Sequence, residues 1–593
     1  MVSKRFLTFK VGHVKYRLQY PFCPVILLAL SLCLGCSKKT SGTPSSGGGT
    51  TDTSIAPAID PPVAKTIGFF LNDWQAKTFT APSYKDTVVS AQSWDTVTVN
   101  ASSIITKIPR SIFGQNGAWW MSPMVNQPLF LSQTTNLTPH IIRFPGGSSS
   151  DAYFWNEPQG VTPPDAPATL LDLNGNPQNP GYAYGETNLN YEASLDNYYS
   201  MLQTTGNQGI LTVNYGYARY GTSANPVAAA AHLAADWVRY DNGRTQYWEI
   251  GNENFGSWEW GYRIDQTQNQ DGQPQYLTGA LYAQHFQVFV DSMQQAASEI
   301  GKTIYIGAVT YNTAPQSYDV PTTQTWNSGM LAGINGKADF YVIHNYFTPY
   351  NANTDAADIV SDAATVPAQQ MGFVTQQLQT YGAPVKPVVM DEWNMDAIGS
   401  DQMVSNVSGV FADLVWGETI KNNFGMAARW DLENGWSSGN DMGLYSAGDE
   451  PSIPQWSPRP SFFYMYFFQK LLGDRLVSAT VQGTAGLYAY ASTFSSGEVG
   501  TVLVNTSATP QAVNIKIQNF RQGSNYYWYS LQGGTDNGSF SRMVFVNGDG
   551  PNAVAGGPTD YTTLQAYGAS TSAGINVTVP SMGAVCLAVA KAN

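Results

Sequence analysis

The sequence predicts an α/β protein, in which a (β/α)8 TIM barrel is followed by a β-sandwich. Between residues 111 and 434, short apolar runs alternate with segments of helical periodicity. Two of these runs end in acidic residues, at Asn252-Glu253 and Asp391-Glu392, and a barrel carries its chemistry at the C-terminal ends of its strands. After Pro460 the pattern changes to short strands separated by turns, which is typical of a sandwich.

Eight apolar runs are the candidate barrel strands: 112–114, 141–144, 210–214, 247–251, 303–307, 340–344, 387–391 and 426–430. Helical patterns separate many of them, at 226–240, 281–300, 368–381 and 403–420. Asn225 is a plausible N-cap for the first of these helices, with Pro226 at its first position. This alternation over one continuous stretch predicts a single barrel with elaborated loops.

The N-terminal 36 residues have the features of an export signal. A basic segment within residues 4–17 precedes an apolar core at 24–34 that is too short to span a membrane comfortably. The core ends in Leu32-Cys33-Leu34-Gly35-Cys36, which resembles a bacterial lipobox. We therefore expect a lipid-modified Cys36 and a place in the bacterial cell envelope, on either face of the outer membrane. An ordinary secretory signal, and hence a secreted protein, is the alternative.

The rest of the chain divides by composition. Residues 37–63 form a Ser/Gly/Thr-rich linker. Residues 64–110 contain strand-like runs at 66–70 and 96–99, which we expect to join the sandwich. The barrel is assigned to 111–460 and the sandwich to 461–593, the latter with a helix at 462–472 and strands at 487–494, 499–505, 512–517, 526–531 and 575–590.

Composition restricts the partners of this protein. Charged residues make up only 12% of the chain and the formal net charge is −13, whereas binding to nucleic acid or to acidic membrane surfaces needs basic patches. We expect no nucleic-acid partner and membrane contact only through Cys36. An uncharged, polar and aromatic-rich surface suits a polysaccharide or oligosaccharide substrate. Cys/His clusters and phosphate loops are absent from the sequence, so we expect no cofactor and no metal site.

Glu253 and Glu392 are the candidate catalytic residues. They follow the fourth and seventh candidate strands, so a barrel would bring both to one end. Cleavage of a glycosidic bond needs a protonated acid at the bridging oxygen and a second carboxylate that attacks or activates water. The alternative is that both are carboxylates of surface loops.

Longer strings around these residues resemble clan A glycoside hydrolases, and most closely the family 51 α-L-arabinofuranosidases. The strings, in the family's order, are Arg143-Phe144-Pro145-Gly146-Gly147, Val213-Asn214-Tyr215-Gly216, Tyr247 to Asn254 (YWEIGNEN), His344-Asn345-Tyr346 and Met390 to Asn394 (MDEWN). The resemblance extends from about residue 65 to the C-terminus and includes the trailing sandwich.

The resemblance implies retaining hydrolysis with defined roles. Glu253 would be the acid/base and Glu392 the nucleophile. Asn252 would hydrogen-bond the sugar 2-hydroxyl. Arg143 and Tyr346 would orient Glu392 and keep it ionised, since a nearby guanidinium lowers the pKa of a carboxylate. The predicted separation of the two carboxyl groups is about 5–5.5 Å.

Three further polar residues have competing interpretations. His344 would line the same pocket, or it is a barrel-core histidine with satisfied hydrogen bonds. Arg143 could instead form a structural ion pair. Glu249 has the same strand parity as Glu253 and is interpreted as a structural carboxylate that needs a buried partner.

Tryptophans are concentrated just beyond the predicted strand ends. Flat aromatic faces pack against the apolar C–H faces of sugar rings, and packing of long loops is the alternative for each of them. The candidate substrate-binding residues are therefore Trp155, Trp258, Trp393 and Trp430, in addition to Arg143, Asn252, His344 and Tyr346.

Departures from the family pattern leave the substrate open. Residues 115–118 lack the Glu that the family carries after its first strand, Ser148 replaces an Asn, and Arg429-Trp430-Asp431 has no counterpart. A polysaccharide-degrading α-L-arabinofuranosidase is therefore weighed against an endo-β-glycanase of the same clan, of glucanase, xylanase or agarase type. A third hypothesis is a carbohydrate-binding lipoprotein without catalysis.

Overall fold

The computed structural model describes residues 67–89, 95–437 and 440–592. The expected export signal, the lipidation site at Cys36 and the linker lie outside these residues. Within the described ranges, the helices are too short or too polar to cross a membrane.

Eight parallel strands close into a barrel, as predicted. The strands follow chain order around the barrel, and the last pairs with the first. Their bounds are β1 Gly114–Asn116, β2 Ile141–Phe144, β3 Gln208–Val213, β4 Tyr247–Ile250, β5 Tyr305–Val309, β6 Phe340–Tyr346, β7 Val388–Asn394 and β8 Met426–Arg429.

The first barrel strand lies further along the chain than the predicted run at 112–114. Residues Arg110–Phe113 form a 3-10 helix, and the strand begins only at Gly114. Pro109 starts this turn, because its carbonyl accepts a hydrogen bond from the Ile112 amide at 3.2 Å. The apolar residues that suggested a strand therefore precede β1: Ile112 is buried in the main core, and Phe113 packs against Trp416 with centroids 5.0 Å apart.

Nine α-helices lie in the described ranges: α1 Pro128–Leu137, α2 Leu195–Thr205, α3 Gly216–Tyr220, α4 Pro226–Asp241, α5 Gly279–Glu299, α6 Pro321–Gly333, α7 Ala356–Thr380, α8 Asn406–Lys421 and α9 Pro460–Leu471. Helix α7 begins well before its predicted start, because Asp355 caps it with a hydrogen bond from the Asp358 amide at 2.9 Å. The buried Pro367 lies inside this helix instead of marking its boundary. Short 3-10 helices are Gly68–Leu71, Arg110–Phe113, Met124–Asn126, Gly147–Ala152, Gln402–Val404, Gly538–Phe540 and Thr571–Ala573.

The second large element of the fold, beside the barrel, is an 11-stranded sheet. Its order is Tyr84–Asp86, Ala566–Ser570, Gln522–Gly533, Gly583–Lys591, Val499–Asn505, Leu487–Thr493, Arg475–Gln482, Asp95–Lys107, Gln511–Gln518 and Ile575–Val579, with Val544–Val546 beside Gln522–Gly533. The sheet folds over itself, since Tyr526 Oη donates a hydrogen bond at 2.9 Å to the carbonyl of Asn576, on a strand far away in this order. The result is the predicted sandwich.

The N-terminal segment completes this sandwich, also as predicted. Strand Asp95–Lys107 pairs antiparallel with Arg475–Gln482 and parallel with Gln511–Gln518. Its Val97 and Val99 are buried in the sandwich core. The predicted last strand at 575–590 is two strands, because Pro580 follows the end of Ile575–Val579 and cannot donate to a ladder.

The expectation that the Phe69 segment joins the sandwich is wrong. Gly68–Leu71 is a 3-10 helix that covers the N-terminal end of the barrel. The Phe69 ring stacks on Tyr305 with centroids 4.0 Å apart, and Phe70 packs on Tyr247 at 4.9 Å and Phe340 at 5.8 Å. Tyr247, Tyr305 and Phe340 place large rings at the N-terminal end of the barrel strands. The 3-10 helix covers these rings and shields them from water.

Helix α8 connects the barrel to the sandwich. All of its residues from Asn406 to Ile420 are buried. Asn406 Nδ2 donates to the carbonyl of Met582 at 2.8 Å, and Tyr490 Oη donates to Glu418 Oε1 at 3.1 Å. Two-stranded ribbons elaborate the loops at the C-terminal end of the barrel: Tyr153–Pro158 with Ala183–Glu186, Leu170–Leu171 with Pro177–Gln178, and Glu433–Asn434 with Tyr445–Ser446.

Candidate active site

Glu253 stands at a strained turn directly after β4. Gly251 has φ +78° and Glu253 itself has φ +42°. A Cβ at Gly251 would lie 2.0 Å from Asn254 Oδ1, so only glycine fits there. The turn aims the Glu253 carboxyl into the barrel mouth, with 17% of the side chain exposed. One oxygen hydrogen-bonds His344 Nδ1 at 3.0 Å and the other accepts from Trp258 Nε1 at 3.0 Å.

Glu392 projects from β7 toward the same point. Tyr346 Oη donates to its Oε1 at 2.6 Å, and Arg143 Nη1 donates to its Oε2 at 3.0 Å. An oxygen of Glu392, an oxygen of Glu253 and a ring nitrogen of His344 all lie within 4.8 Å of one another. The carboxyl oxygens of the two glutamates predicted from the sequence therefore come within 4.8 Å of each other.

Arg143 is the fully buried centre of the polar network. Its guanidinium bonds Glu249 Oε2 at 2.9 and 3.0 Å, Asn252 Oδ1 at 2.8 Å and Asn116 Oδ1 at 3.2 Å, in addition to Glu392. Burial lowers the pKa of Arg143, but the surrounding carboxylates outweigh it and raise the pKa above its ordinary value. Glu249 thus has the buried partner that its position required, and Thr212 Oγ1 adds a bond at 2.8 Å.

His344 couples the two glutamates. Its Nδ1 also lies 3.6 Å from Glu392 Oε2, and its Nε2 lies 3.3 Å from Asp391 Oδ1. Burial lowers the pKa of His344, but the surrounding carboxylates raise it well above the ordinary value. Burial also raises the pKa of Glu253, but hydrogen bonds from His344 and Trp258 outweigh this and lower it.

Opposing effects act on Glu392. Burial raises its pKa above the ordinary value. The charges of His344 and Arg143 and the hydrogen bond from Tyr346 act in the opposite direction and favour the ionised form. The site therefore concentrates its positive charge around Glu392.

Two buried carboxyl groups of this site were not identified from the sequence. Glu259 Oε1 accepts from Asn252 Nδ2 at 3.1 Å and from Ser148 Oγ at 2.7 Å. Asp151 Oδ2 accepts from the Asn252 amide at 3.3 Å, and burial raises the pKa of Asp151 to about 7. Both fix Asn252, yet Glu259 lies in a loop and Asp151 in the 3-10 helix Gly147–Ala152, and no local pattern marks either as part of a site.

The four candidate tryptophans separate into two groups. Trp258 reaches the site through its bond to Glu253 and remains 59% exposed. Trp430, at the end of β8, packs beside Gly147 and lies 5.8 Å from the Trp120 ring.

The other two tryptophans do not reach the site. The Trp155 indole donates to the carbonyl of Leu233 at 2.9 Å and stacks on Trp237, both in α4. Trp393 is fully buried against Phe411 of α8, because it alternates with the inward-facing Glu392 along β7. Both rings therefore pack on helices of the barrel, Trp155 on α4 and Trp393 on α8.

Two triads have spacings that a cation could use. They are Glu249-His344-Asp391 and Glu253-His344-Glu392. The Arg143 guanidinium already bonds Glu249 and Glu392 and lies 3.5 Å from Asp391. We interpret both triads as parts of one ion-pair network centred on that arginine.

Comparison with known proteins agrees with this geometry. The sequence model described as the alpha-L-arabinofuranosidase 1 domain matches residues 133–351, which include Arg143, Glu253 and His344. The resemblance to arabinofuranosidases is confirmed. The matched residues run from α1 to just beyond β6, so Glu392 lies outside them. Curated protein sequences give no match.

Solved structures share the fold over most of the chain. The α-L-arabinofuranosidase of Thermotoga maritima has a TM-score of 0.57 at 15% identity, covering 84% of this chain and 99% of that one. A bifunctional glucanase-xylanase from a metagenome library has a TM-score of 0.55 at 13% identity, covering 84% and 99%. A family 44 xyloglucanase of Paenibacillus polymyxa has a TM-score of 0.52 at 12% identity, covering 84% and 100%. The chain thus has the fold of clan A glycoside hydrolases.

Proposed function

We propose that this protein is a retaining glycoside hydrolase that acts on plant or algal polysaccharide in the manner of an α-L-arabinofuranosidase. The observation that carries the proposal is the approach of Glu253 and Glu392 to within 4.8 Å at the barrel mouth. Retaining glycosidases hold their two carboxyl groups about 5–5.5 Å apart, whereas inverting enzymes leave a wider gap for a water molecule.

In the first step, Glu392 attacks the anomeric carbon while Glu253 protonates the glycosidic oxygen. The bond from the anomeric carbon to that oxygen breaks, and an ester bond to Glu392 forms. The proton comes from the Glu253–His344 pair, whose atoms are 3.0 Å apart. In the second step Glu253 takes a proton from water, the water oxygen bonds to the anomeric carbon and the ester bond to Glu392 breaks. The sugar is released with its original configuration.

The remaining residues of the network position these groups. Arg143 and Tyr346 fix both oxygens of Glu392 and favour its ionised form. Asn252 is held by Arg143 and Glu259, and it is the candidate donor to the sugar 2-hydroxyl. Because Arg143, Asn252, Glu259 and Glu392 are buried and Tyr346 is partly buried, water competes poorly for their hydrogen bonds.

The central test is Glu392→Ala. We expect loss of turnover on aryl glycosides and polysaccharide, with partial recovery in azide to give a product of inverted configuration. Glu299→Ala is the matched control, because Glu299 pairs with Arg239 on the outside of the barrel. Near-normal activity of the Glu392 variant would falsify the assignment.

An endo-β-glycanase of the same clan is the second candidate. A tryptophan that closes the last barrel strand, as Trp430 does here, also occurs in endo-acting members of the clan. Two structures that share the fold, a glucanase-xylanase and a xyloglucanase, favour it as well. Mass spectrometry of products from arabinan, xylan, β-glucan and agarose separates the candidates. Released arabinose supports the first, and a ladder of oligosaccharides supports the second.

The hypothesis of a non-catalytic carbohydrate-binding protein conflicts with the complete acid, nucleophile and arginine set. A reducing-sugar assay on the same polysaccharides, run beside a binding assay, decides between them. Binding without product on every polysaccharide would favour the binding protein.

We also propose that the chain is held at the bacterial cell envelope through lipid on Cys36. The support is the short apolar core followed by a lipobox-like sequence. Incorporation of labelled fatty acid should be lost in Cys36→Ser. An unlabelled wild-type protein in the medium would indicate secretion instead.

A further inference from the structure

Glu259 is a buried carboxyl group to which the proposed reaction assigns no chemical step. It is 3% exposed, and its Oε1 accepts hydrogen bonds from Asn252 Nδ2 at 3.1 Å and from Ser148 Oγ at 2.7 Å. Its Oε2 is buried and has no hydrogen-bond partner among the described residues. Burial, together with the charges of Asp151 and Glu253, raises the pKa of Glu259 well above its ordinary value. These observations indicate a neutral carboxylic acid, with the proton on Oε2 and two donors on Oε1.

The Asn252 amide is held at both of its ends. Arg143 Nη2 donates to its Oδ1 at 2.8 Å, and its Nδ2 donates to Glu259. An amide has an acceptor at one end and two N–H groups at the other, so these two contacts fix which end is which. The second N–H of Nδ2 has no acceptor within the described ranges. Because Arg143 also bonds Glu392 at 3.0 Å, the fixed amide is separated from the proposed nucleophile by a single guanidinium group.

The backbone of the same turn is held by a different carboxyl group. Asp151 Oδ2 accepts from the Asn252 amide at 3.3 Å and from Asn254 Nδ2 at 2.6 Å, and Asp151 Oδ1 accepts from the Gly216 amide at 3.0 Å. Glu259 contacts only the side chain of Asn252 in this turn. Loss of the Glu259 carboxyl group should therefore release the amide and leave the turn in place.

The Ser148 hydroxyl group connects two loops at the barrel mouth. Ser148 lies in the 3-10 helix Gly147–Ala152 after β2, whereas Glu259 lies in the loop after β4. At this position the family pattern has an Asn, and here the shorter side chain donates to Glu259. Both residues lie outside the strings that resemble the family, so this support of Asn252 is a feature of the present chain.

We propose that Glu259 is a positioning residue for the 2-hydroxyl of the substrate: as a neutral acid it directs the free N–H of Asn252 to that hydroxyl, and Ser148 supports it. This inference rests on the proposed retaining hydrolase. Hydrogen bonds to the 2-hydroxyl strengthen in the transition state of glycoside cleavage, and a donor that is already fixed needs no reorganisation during the reaction. Loss of Glu259 should therefore affect substrates that have this hydroxyl far more than substrates that lack it.

Three variants are compared on two substrates. Glu259→Ala removes the acceptor of the Asn252 amide, Glu259→Gln keeps an acceptor oxygen that cannot ionise, and Ser148→Ala removes the supporting hydroxyl. Asp265→Ala is the matched control, because this carboxyl group of the same loop bonds Thr267 at 2.7 Å on the outside of the site. The first substrate is the 4-nitrophenyl glycoside of the sugar that the wild type releases, α-L-arabinofuranose or cellobiose for the two candidate functions. The second lacks the 2-hydroxyl of the ring whose bond is cleaved.

We expect Glu259→Ala to lower kcat/KM about 30-fold on the first substrate and less than about three-fold on the second. Glu259→Gln should remain near the wild-type value on both, since it resembles the neutral acid in shape and charge. Ser148→Ala should lower kcat/KM about three-fold on the first substrate alone. It gives the same comparison if Glu259→Ala does not fold, because it leaves the carboxyl group in place.

Two results overturn this role of Glu259. Equal losses on both substrates would show a general structural effect, and a Glu259→Gln variant as impaired as Glu259→Ala would show that the group acts as an ion. Failure of the wild type to cleave any aryl glycoside or polysaccharide would instead overturn the proposed function, and the inference with it.

Discussion

The two ends of the barrel are closed by opposite chemistry. At the N-terminal end, the rings of Phe69 and Phe70 pack on those of Tyr247, Tyr305 and Phe340. At the C-terminal end, the mouth is lined by carboxyl groups, a histidine and a buried guanidinium. Apolar contact stabilises without direction, while the charged end works only if each group keeps its partner. The apolar end thus adds stability without touching the polar groups of the mouth.

Individual barrel strands change from apolar to charged side chains within a few residues. Along the inward face of β6, Phe340 and Val342 belong to the bottom cluster, and His344 and Tyr346 bond the two glutamates of the barrel mouth. In β4, Tyr247 lies at the bottom and Glu249, two residues on, bonds Arg143. The period of two along a strand keeps these side chains on one face, so depth alone decides their role.

Arg143→Lys gives the largest expected effect at the charged end. Lysine keeps the charge but cannot bond Glu249, Asn252 and Glu392 together, so kcat should fall on the order of 100-fold. Arg143→Met, which leaves the buried carboxyl groups unpaired, should also cost about 3–5 kcal/mol of unfolding free energy. Steady-state kinetics and urea unfolding measure the two effects. Full activity in the lysine variant would contradict the shared role of the guanidinium.

Phe70→Ala tests the apolar end. Loss of a buried aromatic ring should lower the free energy of unfolding by about 3–5 kcal/mol. We expect kcat on an aryl glycoside to stay near the wild-type value, because the bottom cluster touches none of the catalytic groups. A parallel loss of kcat in folded protein would show that the two ends are not separate.

A pH-dependent effect at Asp413 sharpens the comparison. It is buried in α8, and in the described part of the chain its carboxyl oxygens have no hydrogen-bond partner. Burial raises its pKa well above the ordinary value. Its contribution to stability is therefore full below the ordinary carboxyl pKa of about 4 and is lost as pH rises toward the raised folded pKa.

The measurement is urea unfolding at a series of pH values. Because the folded state retains one more proton than the unfolded state, the free energy of unfolding of the wild type should fall by about 1.4 kcal/mol per pH unit above pH 4. Asp413→Asn cannot titrate and should show a flatter dependence. An identical slope in both proteins would mean that other carboxyl groups, such as Asp151, carry it.

Local sequence patterns were sufficient to predict much of the barrel and the positions of its two glutamates. The strand at Ile141–Phe144 and the acidic strand ends at Glu253 and Glu392 are visible because each signal lies within a few adjacent residues. The roles assigned to these residues remain predictions until the variants above are measured.

Features that depend on distant partners could not be predicted. Phe69 and Phe70 have the composition of a strand, but rings contributed by other barrel strands determine that they form a plug. Glu259 is one acidic residue in a long loop until Ser148 and Asn252 meet it. Trp155 and Trp258 look alike in the sequence, and only loop paths decide that one packs on α4 and the other borders the cleft.

The strand Asp95–Lys107 has a consequence for how this protein is made. It emerges from the ribosome before the barrel, yet both of its partners, Arg475–Gln482 and Gln511–Gln518, are synthesised after it. During translation its edges stay open while more than three hundred residues are added, and open edges invite aggregation. Deleting the C-terminal region would leave that strand unpaired, so the barrel is not expected to be separable by simple truncation.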